Sequence, residues 1–282
     1  MTDSWQAQAE PHSFTPGGAD YLRIVARGVP LGLLVFGGLL LLLLVRLVER
    51  PIFGVKRPLT PHITQFVCRT AFVIMGIPFS TTGRPMREKG AVVANHAGWL
   101  DIFSLNARKR VYFVSKAEVA RWPGIGWLAR ATGTVFINRD RREATQQIEL
   151  FRSRLSAGHK LLFFPEGTSS DSRRVLPFKS TLFAAFFTPE LRDFMWVQPV
   201  TLRYVAPSGT DPRFYGWWGD MEFAPHLLQT LAAPRQGRVE LVYHKPVKVS
   251  DFANRKALAA HCEAAVRAGL AELNVERDGP AG

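Results

Sequence analysis

Val92-Val93-Ala94-Asn95-His96-Ala97-Gly98-Trp99-Leu100-Asp101 joins an apolar, strand-like run to a turn that carries one histidine and, five positions later, one carboxylate. Histidine exchanges protons near neutral pH, and a carboxylate against its ring fixes the tautomer and stabilises the protonated form. On one straight helix the two would stand about 140° apart, at about 3.6 residues per turn. They can meet only if His96 ends a strand and Asp101 sits on the turn or helix that follows. The same pattern recurs further along. Leu161-Leu162-Phe163-Phe164-Pro165-Glu166-Gly167-Thr168-Ser169-Ser170 is a second apolar run breaking into a polar loop with one carboxylate, and Gly133-Thr134-Val135-Phe136-Ile137-Asn138-Arg139 is a β-branched run that delivers an arginine. Three strand ends that each present a polar group are expected to converge at one edge of an α/β sheet.

From residue 90 onward, strand and helix patterns alternate. Strands are expected at Ala91–Ala94, Val111–Val114, Val135–Ile137, Leu161–Phe164, Val197–Val205 and Val239–Tyr243. Helices are expected at Asp101–Ala107, Trp127–Thr132, Glu143–Ala157 and Arg255–Leu273, with a short one at Thr181–Phe187. The fold class is therefore α/β, a mixed, largely parallel sheet flanked by helices, preceded by an N-terminal membrane-anchoring helical segment. The expected division is a disordered 1–19, a membrane-anchoring helical region at 20–82, an α/β domain at 83–276 and a disordered 277–282. The Pro-, Gly- and Trp-rich stretch Pro207–Pro234 reads as an irregular insertion facing substrate or membrane.

The anchor is read from Val29–Val45, 17 residues without a charge, flanked by Arg27 and Arg46. As a helix it is about 26 Å long, slightly short of a hydrocarbon core of about 30 Å, and the arginines can snorkel to the interfaces. A secretory signal fits poorly, because the segment starts late and is followed by charge instead of a small-residue cleavage site. Arg46, Arg50, Lys56 and Arg57 make the following side the more positive. The positive-inside rule then leads us to expect the α/β domain on the cytoplasmic face of the inner membrane. Phe66–Ile77, interrupted by Arg69, is too short to span and suits the interface or packing back against the first helix. Net charge is +13 from 36 basic and 23 acidic residues. Between Arg84 and Lys179 there are 18 Lys/Arg against 8 Asp/Glu, a field that favours an anionic leaflet. Nucleic acid is not an expected partner, because no nucleic-acid-binding signature accompanies the charge.

Several other chemistries are set aside. Gly124-Ile125-Gly126-Trp127-Leu128-Ala129 fits a dinucleotide fingerprint but follows Arg121-Trp122-Pro123 instead of a strand. The two cysteines, Cys68 and Cys262, are far apart, and the seven histidines form no zinc spacing. No metal is expected, and no Gly-x-Ser-x-Gly elbow marks an α/β-hydrolase.

In this order, Asn95-His96 to Asp101, Phe136-Ile137-Asn138-Arg139, Phe164-Pro165-Glu166-Gly167-Thr168 and a looser Val197-Gln198-Pro199-Val200 resemble the glycerolipid acyltransferase family, which acylates lysophosphatidic acid and related lysolipids. The resemblance spans residues 90 to 200 and implies acyl transfer from a thioester to a lysolipid hydroxyl. His96 would be the general base and Asp101 its orienting carboxylate. Arg139 would bind a phosphate or carboxylate of the acceptor, with Glu166, Gly167 and Thr168 forming the acceptor pocket and Lys179 adding charge. No cofactor is implied, since the acyl thioester is a co-substrate carried by acyl carrier protein or coenzyme A; membrane lipids and the lysolipid are the other partners. One departure bears on the acceptor. Where a lysophosphatidic acid enzyme carries Arg after Glu-Gly-Thr, this chain has Ser169, forfeiting bonds worth about 1.5–3 kcal/mol. Phe164–Ser170 with Asp171, and Tyr215-Gly216-Trp217-Trp218-Gly219-Asp220-Met221, resemble the branch that esterifies lyso-ornithine lipid. The alternative acceptor is 1-acylglycerol-3-phosphate. A lysolipid-binding module and a lipid hydrolase or transacylase also fit the anchor and the basic face.

Overall fold

A computed structural model of the chain describes residues 14–122, 124–137 and 144–278. The apolar N-terminal segment forms α1 (Gly18–Phe53), a helix of 36 residues, about 54 Å long at 1.5 Å per residue. It starts inside the stretch expected to be disordered. Asp20 in its first turn accepts the Gly17 amide at 2.8 Å and pairs with Arg23 at 2.7 Å, which fixes that end. α2 (Thr60–Met75) turns back against α1. Its N-terminus is capped from the other helix: buried Glu49 accepts the amides of Leu59 and Thr60 at 2.7 and 3.1 Å and the Thr60 hydroxyl at 2.7 Å. A carboxylate there satisfies unpaired N–H groups and suits the positive end of the helix dipole.

The eight strands are β1 (Phe79–Gly83), β2 (Gly90–Ala94), β3 (Tyr112–Lys116), β4 (Val135–Ile137), β5 (Leu161–Phe163), β6 (Trp196–Val205), β7 (Arg238–Tyr243) and β8 (Val247–Lys248). Among the described residues they form one sheet ordered β1-β7-β6-β2-β5-β3-β4, with β8 paired to β6. β2 to β6 run parallel, β7 and β8 run antiparallel to β6, and β1 lies parallel to β7. The mixed, largely parallel sheet is thus as expected. β2 is buried on both faces, which is why it reads as a continuous apolar run instead of an alternating one.

Alternate residues of the central strands feed two cores. Val92, Ala94, Leu162, Val200 and Leu202 pack toward α1, α2, α3 (Leu100–Arg108) and α7 (Phe223–Ala232). Ala91, Val93, Leu161 and Phe163 pack toward α5 (Ala144–Ser156), α8 (Arg255–Asp278) and the 3-10 turn Ser180–Phe187. α4 (Ile125–Thr132) precedes β4, and the short α6 (Pro189–Arg192) precedes β6.

Three elements escape the sequence pattern. β1, Phe-Ser-Thr-Thr-Gly, is a mostly polar edge strand lying within residues expected to belong to the anchor region. β8 has two residues. α7 occupies part of the stretch expected to be irregular; Pro225 in its first turn is compatible with a helix start. α8 continues to Asp278, past the expected boundary at 276.

α1 lies along the α/β domain instead of projecting from it. Near its start Arg23 and Arg27 donate to the carbonyls of Leu231, Ala232 and Ala233 at 2.6 to 2.8 Å. Just beyond its end, Arg57 donates to Ala131 O at 2.6 Å. Its outward face is apolar and open: Leu33, Phe36, Leu40 and Leu47 are exposed, as are Phe66 and Val73 on α2.

Candidate active site

The motif turn leaves β2 at its C-terminal end, the edge at which parallel α/β sheets usually take their ligands. Asn95 is buried and has a structural task there. Its amide completes the sheet sideways, donating to Leu202 O and accepting from Leu202 N, both at 2.8 Å, and so locks the end of β2 to β6. The next residue is thereby aimed. His96 Nδ1 lies 2.7 Å from Asp101 Oδ2, with the histidine side chain 22% exposed and the aspartate fully buried. An ionised carboxylate only accepts, so Nδ1 carries the proton and Nε2 keeps its lone pair. The His96 ring stacks on Phe164 at 4.0 Å and 8°, which fixes its plane.

Asp101, in the first turn of α3, is saturated with donors. Oδ2 also accepts the amides of Ala97 and Gly98 at 2.8 and 3.1 Å, and Oδ1 accepts the Tyr204 hydroxyl at 2.6 Å. Four donors on one buried carboxylate offset its loss of water. No sequence motif singles out Tyr204. The available signal was its parity on β6 with Val200 and Leu202, which makes it a phenol on a core-facing position in need of a partner.

The second polar loop is stitched to the first. Ser170 donates to His96 O through its amide at 2.9 Å and through its hydroxyl at 3.1 Å. Glu166 stands beneath the site instead of lining its opening; it is buried, and its Oε1 accepts the His96 amide at 3.3 Å. Burial raises its pKa well above the ordinary carboxylate value against the amides of His96 and Leu176, and the nearby Asp101 adds to the rise. Gly167 turns the loop at φ +74°, its amide bonded back to Phe164 O at 3.1 Å, a conformation that favours glycine. Gly167, Thr168 and Ser169 are partly exposed on the rim. The Lys179 amide closes the loop's far side on Pro165 O at 2.9 Å. Arg139 lies outside the described residues.

A third segment completes the wall. The Trp217 amide donates to Ala97 O at 2.8 Å, and a Cβ on Gly98 would come within 2.8 Å of Trp217 Cβ. A Cβ on Gly216 would meet the Asp171 backbone at 2.6 Å. The Trp-rich stretch therefore sits directly against both motif loops. His226 of α7 holds it from behind: its Nδ1 accepts the Trp99 indole N–H at 2.8 Å, and its Nε2 lies 3.2 Å from Phe214 O. Trp99 can only donate, so His226 is neutral with its proton on Nε2. Burial pushes its pKa down to about 4. Among the described residues no cluster of three or more His, Cys, Asp or Glu is placed to hold a metal.

The profile of the family described as Acyltransferase matches residues 80–203. A lyso-ornithine lipid O-acyltransferase of Rhodobacter capsulatus is 58% identical over 268 residues, 95% of this chain and 97% of that protein. A protein of the same description from Brucella abortus is 39% identical over 80% of this chain and 87% of its own. The crystal structure of a 1-acyl-sn-glycerophosphate (LPA) acyltransferase from Thermotoga maritima superposes with a TM-score of 0.57 at 22% identity, covering 88% of this chain and 98% of that one. At that identity the likeness is one of fold.

Proposed function

The chain belongs to the Acyltransferase family, and on that premise we propose that it esterifies the hydroxyl of lyso-ornithine lipid with an acyl group drawn from a thioester. The 2.7 Å contact between His96 and Asp101 carries the chemistry. His96 Nε2 takes the proton of the acceptor hydroxyl as its oxygen attacks the thioester carbonyl. Asp101 holds the ring in that tautomer and stabilises the imidazolium. The tetrahedral intermediate collapses with loss of the thiolate, which takes the proton back from His96, leaving an ester and a free thiol. The thiol belongs to acyl carrier protein or coenzyme A.

The acceptor follows from the rim and from the relatives. Gly167, Thr168 and Ser169 offer no guanidinium at the position where phosphate recognition calls for one, and Arg139 remains as the motif's anion contact. That suits an acceptor with a carboxylate better than one with a nearly dianionic phosphate. Glu166 supports the site from below.

The anchor is α1 with α2, set in the inner membrane with the α/β domain on the cytoplasmic side. Residues on both sides of its apolar segment, Arg23 and Arg27 before it and Arg57 after it, bond to the same α/β domain. A helix crossing the bilayer would separate them by about 30 Å of hydrocarbon. We therefore read α1 as lying within one leaflet, entering and leaving on the side of the active site.

The test is kcat/KM for lyso-ornithine lipid and for lysophosphatidic acid, in the wild type and in Ser169→Arg, because specificity is a ratio of these. The wild type should prefer lyso-ornithine lipid. The substitution should raise the relative efficiency on lysophosphatidic acid about tenfold, from one charge-assisted bond to phosphate. A wild type that strongly prefers lysophosphatidic acid overturns the acceptor and leaves the acyl transfer standing.

A further inference from the structure

One donor to Asp101 comes from the middle of the sheet, not from the motif turn. Tyr204 is 103 residues away in sequence and 1% exposed, yet its hydroxyl reaches Asp101 Oδ1 at 2.6 Å. The Tyr204 hydroxyl also lies 2.9 Å from Ser104 Oγ, one turn beyond Asp101 on α3. Nothing in the packing calls for a hydroxyl there. Val200 and Leu202, on the same face of β6, are fully buried hydrocarbons, and a phenol among them is costly unless its hydroxyl is bonded. Its partner is the oxygen of Asp101 that the motif turn leaves open, since Oδ2 already serves His96, Ala97 and Gly98.

We propose that Tyr204 is a positioning residue for the acyl transfer, a buried phenol donor that fixes the Asp101 carboxylate and tempers its pull on the His96 proton. The proposal rests on His96 as the base. Burial, with the charge of Asp101 adding to it, raises the Tyr204 phenol well above its ordinary value, so it remains a donor across the working pH range. The titratable groups of the surrounding elements are held toward their uncharged forms, each mainly by burial. Glu166 beneath His96 is raised, Tyr215, whose ring is 5.8 Å from that of Tyr204, is pushed up to about 12, and Tyr243 on β7 is raised. His226, behind Trp99, is pushed down to about 4. Arg267 acts at longer range on Glu166, and Arg108 on Tyr243. Of these groups only the Asp101 carboxylate lies within hydrogen-bond distance of the Tyr204 hydroxyl, at 2.6 Å.

The sign of the effect follows. Removing the donor leaves the Asp101 charge less dispersed, so it stabilises the imidazolium more and raises the proton affinity of His96. In Tyr204→Phe the acid limb of kcat/KM should move to higher pH, kcat should fall about tenfold from the loosened carboxylate, and KM for the acceptor should hold. With 3,5-difluorotyrosine incorporated at position 204, a stronger donor, the acid limb should move to lower pH. A residue that merely fills space would change the amount of folded enzyme and leave the limb in place. An acid limb unmoved in both proteins overturns the proposal; should the phenylalanine chain fail to fold, the fluorinated one decides by the same criterion. His96→Ala is measured alongside. Near-normal turnover by that variant removes the base itself, a failure separate from that of Tyr204.

Discussion

His226 shows how far a residue's chemistry depends on partners distant in sequence. Its tautomer is set by an indole N–H and a backbone carbonyl, and its pKa is pushed down to about 4 by burial. The unfolded value is about 6.5, so the unfolded chain binds more protons between the two. The stability this histidine confers is complete above about pH 6.5 and is lost as the pH falls toward about 4, up to about 3 kcal/mol. His226→Gln can keep both hydrogen bonds and has no proton to gain. Melting temperatures of wild type and variant, followed from neutral pH down through this window, should show the wild type falling faster. His159, pushed down to about 3 by burial with Arg154 and Arg57 adding to the shift, titrates alongside in both proteins and cancels in the comparison. Parallel acid dependence would sink the assignment. His96, Asp101 and the Glu166 loop were legible in the sequence because each ends an apolar run at short range. Tyr204 and His226 were not, because the contacts that give them meaning span 103 and 127 residues and leave no local pattern.

Among the elements, β2, β4, β5 and β6 were readable as apolar runs, while β1 was not: an edge strand half open to water needs no such run. The helical pair is a more instructive case. Its sequence reads as an apolar stretch and a charged turn, but the close approach of the two helices midway along α1 depends on one missing side chain. A Cβ on Gly38 of α1 would lie 2.5 Å from Val67 Cγ2 on α2, whereas a Cβ on the neighbouring Gly37 meets nothing within 4 Å. Val67 is β-branched and has little freedom to move aside. Gly38→Val should therefore force the helices apart at a cost of about 1–3 kcal/mol, the usual range for overpacking. Gly37→Val should be nearly neutral. Thermal unfolding of the two variants in the same detergent checks this, and equal melting temperatures would show that the helices are not packed through Gly38.

Taken whole, the molecule sets an apolar helical pair over one face of a sheet, in a chain with net charge +13. The two features act on different terms. Attraction of basic residues to an anionic leaflet is screened within about 10 Å at 0.1 M salt, whereas buried apolar area is not screened at all. The full chain should therefore stay on membranes washed in high salt. The proposed one-leaflet placement of α1 adds a sharper expectation: Thr15 and Lys56 should lie on the same side of the hydrocarbon. Both positions are exposed, and Cys68 and Cys262 are buried, so a membrane-impermeant maleimide reads introduced cysteines over a low background. Thr15→Cys and Lys56→Cys should both label in inverted inner-membrane vesicles and both resist labelling in intact spheroplasts. Labelling from opposite sides would mean that α1 crosses the bilayer. In that case the bonds from Arg23 and Arg27 to the α7 end of the domain could not exist in the membrane, and the active site would hang from a single tether instead of lying against the leaflet that holds its acceptor.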